Sequence, residues 1–207
     1  MVTYTTLSPT DQYAQFASPV LSNGNLTVAF SATGSQTVRA VDGQSTGKYY
    51  FEATLSGSVN ANFGVMSASG LLVNANSDSF NRAAIAGYYP YVLAAITNYG
   101  TTLGGFNTMV TAGFAIDVGG ALGWVSDETG GNWNATSATP GVSGGVAFNA
   151  GMSAPLKPVV FVYSAGAATM ILNFGASAFA HTVPAGFTAG WPGAAPAAAP
   201  FDFFFGA

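Results

Sequence analysis

Few side chains in this sequence of 207 residues are of the types that carry out acid–base or nucleophilic chemistry. The only histidine is His181, within AFAHTV, and no carboxylate lies near it in the sequence. Nucleophilic catalysis usually needs a base beside the nucleophile, and the sequence has no cysteine. We therefore expect His181 to be a hydrogen-bonded structural residue. A triad assembled from residues distant in the sequence is the alternative.

The only adjacent carboxylates are Asp127 and Glu128, within WVSDETGGNW. Neighbouring side chains on an extended chain point to opposite sides, so the two are poorly placed to cooperate as acid and base. Asp before Thr-Gly-Gly is typical of a tight turn, with a weak calcium site on backbone carbonyls as the alternative. Metal sites of the histidine and cysteine kind have too few ligands here. The sequence thus predicts no metal, no cofactor and no enzymatic activity.

Charge is scarce along the chain. Charged residues make up 6% of the sequence, against about 25% in an average protein. With four basic residues, eight acidic ones and a net charge of −4, a nucleic acid is an improbable partner. No stretch has the pattern of a signal peptide or the length of a membrane span, so membrane insertion is not expected. A surface so poor in charge suits a subunit packed in an assembly, such as a homo-oligomer; an unusual composition in a free soluble protein is the alternative.

Short strands and turns account for most of the chain. Asn23-Gly24 is a typical hairpin dipeptide between 20–21 and the alternating residues 26–30. In residues 47–55 (GKYYFEATL) the alternation places Tyr49, Phe51 and Ala53 on one face. Further apolar runs of four to six residues occupy 63–66, 114–118, 122–125, 159–163 and 169–174. With 27 glycines and 10 prolines interrupting the sequence, long helices are disfavoured and an all-β domain is predicted.

Aromatic and amide side chains cluster in the predicted loops. Flat aromatic faces beside amide groups suit sugar rings or protein partners, because they bury area while satisfying hydroxyl or peptide groups. The candidate ligand-binding residues are Tyr89, Tyr91, Asn98, Asn132, Trp133 and Asn134. Part of this aromatic surface is expected to be ordinary core.

The C-terminal segment differs in composition from the rest. Residues 189–200 (AGWPGAAPAAAP) are rich in alanine and proline, which predicts an extended, stiff segment. It leads into an apolar cluster that would lower solubility if it were left uncovered. One interpretation is a last edge strand folded back on the domain; the other is a docking peptide for a neighbouring subunit. The docking candidates are Trp191, Phe201, Phe203, Phe204 and Phe205.

Several segments resemble the SPRY domain family, in the form found in bacteriophage and prophage virion proteins. Residues 47–52 (GKYYFE) are similar to the family's G-K-W/Y-Y-W/F-E strand, and 64–66 (GVM) to the segment that follows it. Residues 113–117 (GFAID), followed by 122–125 (LGWV), resemble its G-x-A-x-D hairpin.

The later segments follow in the family's order. Residues 131–134 (GNWN), with Gly141 and 144–146 (GGV), are similar to an insertion of the phage versions. Residues 158–160 (PVV) resemble the P-x-V/I strand. The ending N-F-G-x-x-x-F…P-x-G-F is matched by 173–175, Phe179 and 184–187. The resemblance implies a bent sandwich of two antiparallel sheets, with a lectin-like jelly-roll architecture, over residues 21–188. Residues 1–20 would be an N-terminal arm and 189–207 a tail.

SPRY domains generally bind proteins or peptides through loops and have no catalytic residues of their own, so the resemblance implies a binding function. Our first hypothesis is a structural component of a phage particle: a head fibre, a capsid decoration protein or a tail-associated adhesin. It would assemble in the host cytoplasm on phage capsid or tail proteins and bind a host-surface glycan or protein. The alternative is a stand-alone cellular SPRY module that recognises a peptide or protein.

Overall fold

The computed structural model describes residues 3–30, 34–56, 60–72, 84–86, 110–126, 130–134, 138–148, 152–163 and 167–194. Within these ranges the chain forms thirteen strands and no helix. In chain order they are β1 (Leu7–Ala14), β2 (Val20–Ser22), β3 (Thr27–Phe30), β4 (Gln36–Ala40), β5 (Lys48–Ser56), β6 (Asn60–Ser67), β7 (Ala84–Ala86), β8 (Val110–Asp117), β9 (Leu122–Val125), β10 (Val146–Ala147), β11 (Leu156–Tyr163), β12 (Ala168–Asn173) and β13 (Thr188–Ala189).

The strands form two sheets. One has five strands in the order β1-β4-β11-β6-β7. The other has eight: seven in the order β10-β9-β8-β5-β12-β3-β2, and β13 beside β5. Every pairing is antiparallel except that of β13 with β5. The all-β prediction is therefore confirmed.

The main core lies between the two sheets. Strand β5 shows why: Phe51, Ala53 and Leu55 point inward and are buried, as the alternation of the sequence predicted. Phe51 stacks on Phe114 of β8 with ring centroids 5.1 Å apart. Phe114 in turn meets Phe63 of the opposite sheet at 6.0 Å. These aromatic contacts join the two sheets as the two layers of a sandwich.

The predicted hairpin at Asn23-Gly24 is present. β2 pairs with β3, with Ser22 opposite Thr27 and Val20 opposite Ala29. Gly24 has a positive φ of 61°, a conformation that glycine adopts without the steric cost of a Cβ. β2 is the terminal strand on its side of the eight-stranded sheet.

The sandwich extends beyond the predicted limits of 21–188 at both ends. β1, inside the predicted N-terminal arm of residues 1–20, pairs with β4. Near the other end, Thr5 N donates to Trp191 O at 3.0 Å and Gly193 N donates to Thr3 O at 2.8 Å. The two terminal segments thus complete the sandwich by bonding to each other, a long-range pairing that no local pattern reveals.

Trp191 corrects a second prediction. It was a docking candidate, but its side chain is fully buried in the main core. Its ring lies 5.1 Å from that of Tyr49 and 5.9 Å from that of Phe51, and its indole N–H donates to Asp42 O at 3.1 Å. A tryptophan used in this way is not available to a partner. The other docking candidates, Phe201, Phe203, Phe204 and Phe205, lie outside the described residues.

Candidate functional site

The outer face of the eight-stranded sheet is the side turned away from the other sheet, and it divides into two halves. Over β5, β8 and β9 it carries a second apolar cluster, separate from the main core. The buried members of this cluster are Tyr50, Ala115, Trp124, Trp133 and Phe187. Residues between 176 and 187 supply part of the cover: Phe179 packs edge-on against Tyr50 with centroids 5.0 Å apart, and Phe187 against Trp124 at 5.9 Å. We call this the covered half.

Glu52 holds that cover in place. The residue is 3% exposed, and its carboxylate accepts hydrogen bonds from the Tyr50 hydroxyl and from the backbone N–H groups of Ala180 and His181, each at 2.8 Å. Burial raises the pKa of Tyr50 above its ordinary value, and the hydrogen bond to Glu52 and the charge of Glu52 raise it further. Tyr50 therefore stays protonated and remains a donor. The buried charge of Glu52 is balanced by three directed donors, as a stable buried carboxylate requires.

His181 meets this carboxylate through its backbone and not through its ring. The imidazole Nε2 lies 3.2 Å from the carbonyl oxygen of Thr111, while the backbone N–H donates to Glu52. A Cβ added at Gly130 would lie 2.6 Å from the ring, so the two residues are in close contact. Among the described residues, then, the imidazole contacts backbone atoms, and it is the backbone N–H of His181 that meets the Glu52 carboxylate.

Two of the predicted ligand-binding residues are part of the covered half. Trp133 is 6% exposed and faces Tyr50 with centroids 6.4 Å apart. The Asn134 side chain is also buried; its Oδ1 accepts from Val125 N at 2.9 Å, and its Nδ2 donates to Gly144 O at 2.8 Å and Gly123 O at 3.3 Å. Neither is presented to a ligand, so the prediction is wrong for both. The sheet has an apolar outer face here, and these residues are needed to cover it.

Asn132 is the one member of the predicted set that is both described and exposed. Tyr89, Tyr91 and Asn98 lie outside the described residues, and so do Asp127 and Glu128. The structure therefore brings together Trp133 and Asn134 for packing and leaves Asn132 beside them at the surface.

The other half of the outer face is open. Here the strand registers align two rows of uncharged side chains across the sheet. One row is Ser22, Thr27, Ile171, Thr54 and Thr111; the other is Val20, Ala29, Thr169 and Ser56. Every one of these residues is solvent-accessible. At the usual strand spacing the first row spans about 19 Å, and we call this surface the open half.

Within the open half, the hydroxyls of Thr54 and Thr111 are hydrogen-bonded to each other at 2.7 Å. Sequence analysis missed this surface. Its signal is the alternation of uncharged side chains in three strands, Thr27 and Ala29, Thr54 and Ser56, and Thr169 and Ile171. Only the strand order places those residues side by side.

The described charged side chains are all engaged. Arg39 forms a two-bond pair with Asp11 at 2.9 Å and also donates to the carbonyls of Ser67 and Gly70. Lys157 lies 3.5 Å from Asp11, and Lys48 lies 3.2 Å from Asp117. Asp42 Oδ1 accepts from the backbone of Ala194 at 3.0 Å, and Glu52 is the buried carboxylate already described. Over the described ranges, then, the surface offers a partner almost no unpaired charge.

Metal-binding geometry is not found in the described part of the chain, where no three histidine, cysteine or carboxylate side chains are grouped as ligands. Among those same residues, no helix is long and apolar enough to cross a membrane.

Comparison with known proteins identifies the fold. The sequence matches no protein-family model and no curated protein sequence. The structure is similar to the crystal structure of the SPRY domain of human HERC1, with a TM-score of 0.56 and 14% sequence identity over 81% of this chain and 96% of that one. At this identity the likeness shows the fold alone: the sandwich is SPRY-like.

Two further structures are similar with lower scores. The stonustoxin structure gives a TM-score of 0.48 with 16% identity and covers 82% of this chain and 27% of that chain. The TRIM65 PSpry domain gives a TM-score of 0.47 with 15% identity and covers 82% of this chain and 91% of that chain.

Proposed function

We propose that this protein is a non-enzymatic binding protein that uses its SPRY-like sandwich as a rigid support for recognition surfaces. The observation that carries the proposal is the use made of Glu52 and His181. Glu52 accepts three hydrogen bonds from its own domain, and His181 contacts a backbone carbonyl and a glycine. Because both groups are engaged in contacts that hold the fold together, we infer that the protein acts by binding through its surface.

We propose further that the protein is a component of a phage particle: a head fibre, a capsid decoration protein or a tail-associated adhesin. Two features support this setting. The segments 131–134 and 144–146 resemble the phage form of the family, and the surface is poor in charge. The proposed partners are phage capsid or tail proteins, with Phe201, Phe203, Phe204 and Phe205 as docking residues, and a host-surface glycan or protein, with Tyr89, Tyr91, Asn98 and Asn132 as contact residues.

The test combines particle attachment with host binding. The full chain is expressed in phage-infected cells, and particles purified by density gradient are probed for it. Tyr89→Ala, Tyr91→Ala and Asn132→Ala are then compared with Val142→Ala, which alters a side chain that is 82% exposed at the tip of the turn 139–143. We expect the first three to reduce binding to host cells and the last to leave it unchanged. Normal host binding by all four would rule out the proposed contact residues.

A stand-alone cellular module is the second candidate. The observation that favours it is the likeness to a SPRY domain of a human protein over 96% of that domain. The two candidates differ in what the chain stays bound to during purification. A virion component co-purifies with particles, whereas a cellular module is retained by a peptide or protein of uninfected cells and is lost from particles during the gradient.

A further inference from the structure

Among the described residues, the edge of the eight-stranded sheet at β2 has backbone groups open to a partner. β2 pairs with β3 on one side and is the last strand of its sheet. A terminal strand presents unpaired N–H and C=O groups, and proteins usually protect such an edge with charged side chains or by covering it. No described segment pairs with the second side of Val20, Leu21 and Ser22.

This edge has no charge to protect it. The sequence contains no Asp, Glu, Lys or Arg between Asp11 and Arg39, and none in the two rows of the open half that adjoins β2. Apolar side chains are exposed instead: Val20 on β2 is 65% exposed, and Phe16, in the connection from β1, is 72% exposed. An exposed apolar side chain on an uncharged terminal strand leaves the edge without the protection that charged side chains usually give.

We propose that β2 is an interface between two copies of this chain, which pair edge to edge about a two-fold axis. A two-fold interface brings each surface against its own copy, so any charge on it would face a like charge. Two copies of an uncharged edge can therefore meet without electrostatic repulsion. The same edge has no charge with which to attract an oppositely charged partner. The pairing would join two eight-stranded sheets into one continuous sheet.

The register of the pairing follows from what flanks β2. Pro19 precedes the strand and has no N–H to donate, and the turn at Asn23 and Gly24 ends it. Only the three residues 20–22 can pair, so the axis passes beside Leu21 and Val20 lies opposite Ser22 of the partner subunit. Roughly two to four backbone hydrogen bonds form across so short an edge, so the dimer is weak and depends on concentration.

The inference gives a surface to the homo-oligomer expected from the sparse charge of the sequence, and its test uses the purified chain alone. Its failure is therefore distinguishable from a failure of particle attachment or host binding. The mass of the full chain in solution is measured by sedimentation velocity over a wide concentration range. We expect a dimer that dissociates on dilution. Val20→Lys, which places two like charges diagonally across the axis on the same face of the sheet, should weaken dimerisation by at least about tenfold.

The matched control is Val142→Lys, the same change at a residue that is 82% exposed on a turn beside the opposite edge of the sheet. It should leave dimerisation unchanged. A wild-type chain that stays monomeric at every concentration would overturn the proposal, as would equal effects of the two lysine substitutions.

Cross-linking tests the register directly, because the natural chain has no cysteine. Single variants Val20→Cys and Ser22→Cys are prepared, and each is oxidised alone and in an equimolar mixture. Opposed residues in an antiparallel pair have Cα atoms about 4.5–5.5 Å apart, within the range that a disulfide spans. We expect the mixture to form a disulfide-linked dimer in much higher yield than either variant alone. Equal yields in all three samples would contradict the register.

A chain shortened after Ala194 identifies the occupant of the edge. It should dimerise as the full chain does and form the same cross-link. If it is monomeric while the full chain dimerises, residues 195–207 are required for the dimer and the proposed pairing of β2 with β2 is wrong.

Discussion

The Tyr50 hydroxyl donates a 2.8 Å hydrogen bond to the Glu52 carboxylate on the outer face of β5, and both side chains are buried there. The same carboxylate accepts the backbone N–H groups of Ala180 and His181. One strand thus uses alternate residues for two purposes: its inward side chains join the two sheets, and its outward pair secures the segment that covers the second apolar cluster.

Replacing the carboxylate should loosen that cover. Glu52→Gln keeps the size of the side chain but puts an amide N–H₂ where a donor already points, so one buried hydrogen bond is lost. We expect a loss of about 2–4 kcal/mol in the free energy of unfolding, measured by urea denaturation. Lys48→Met on the same strand removes a charge from an exposed ion pair and should change stability by less than about 1 kcal/mol. Equal losses would contradict the role assigned to Glu52.

The raised pKa of Tyr50 predicts how stability depends on alkaline pH. In the unfolded chain a tyrosine loses its proton near pH 10, whereas in the folded protein Tyr50 keeps its proton to higher pH. The stabilisation from this group is therefore complete below pH 10 and decreases as the pH rises above it. Tyr50→Phe should lower stability at neutral pH and remove about 1.4 kcal/mol per pH unit from the alkaline slope. An unchanged slope would exclude Tyr50 as its source.

The buried amide of Asn134 should matter to stability and not to binding. Asn134 has a positive φ of 52° and makes three hydrogen bonds to the backbone. Asn134→Gly tolerates that φ and removes the three side-chain bonds, while the greater freedom of glycine in the unfolded chain adds to the cost; we expect a loss of about 2–4 kcal/mol. Thermal and urea unfolding give the value. If the variant were as stable as the natural chain but no longer bound its host or particle partner, Asn134 would be a ligand-binding residue after all.

Close packing beneath Trp124 makes Gly145 sensitive to the addition of one methyl group. A Cβ at Gly145 would lie 2.5 Å from Trp124 Cζ2, so Gly145→Ala must displace the indole, whose N–H is bonded to Ser143 O at 2.9 Å. We expect a loss of about 1–3 kcal/mol and a change in tryptophan fluorescence. At Gly119 a Cβ would meet nothing closer than 3.8 Å. Gly119→Ala is therefore the control and should have little effect on either measurement.

The strands of the main core were predictable because their information is local. The alternation of side chains in residues 47–55 identifies the inward face of β5, and turn-forming residues mark the ends of most of the other strands. The hairpin at Asn23-Gly24 was predictable for the same reason. Trp133, Asn134 and Trp191 were not, because an aromatic or amide residue in a glycine-rich segment has the same local pattern whether it covers a sheet or meets a ligand.

The sequence by itself determined that this chain forms short strands, carries little charge and places few groups suited to acid–base chemistry. These properties depend on residue type and on spacing along the chain. Only the tertiary structure decided how the two faces and the edges of the eight-stranded sheet are used. Strand order brings Glu52 to His181 across 129 positions. Over the described ranges it also covers one half of the outer face and leaves the other half and the β2 edge open. That outcome depends on long-range pairing, which spacing along the chain does not encode.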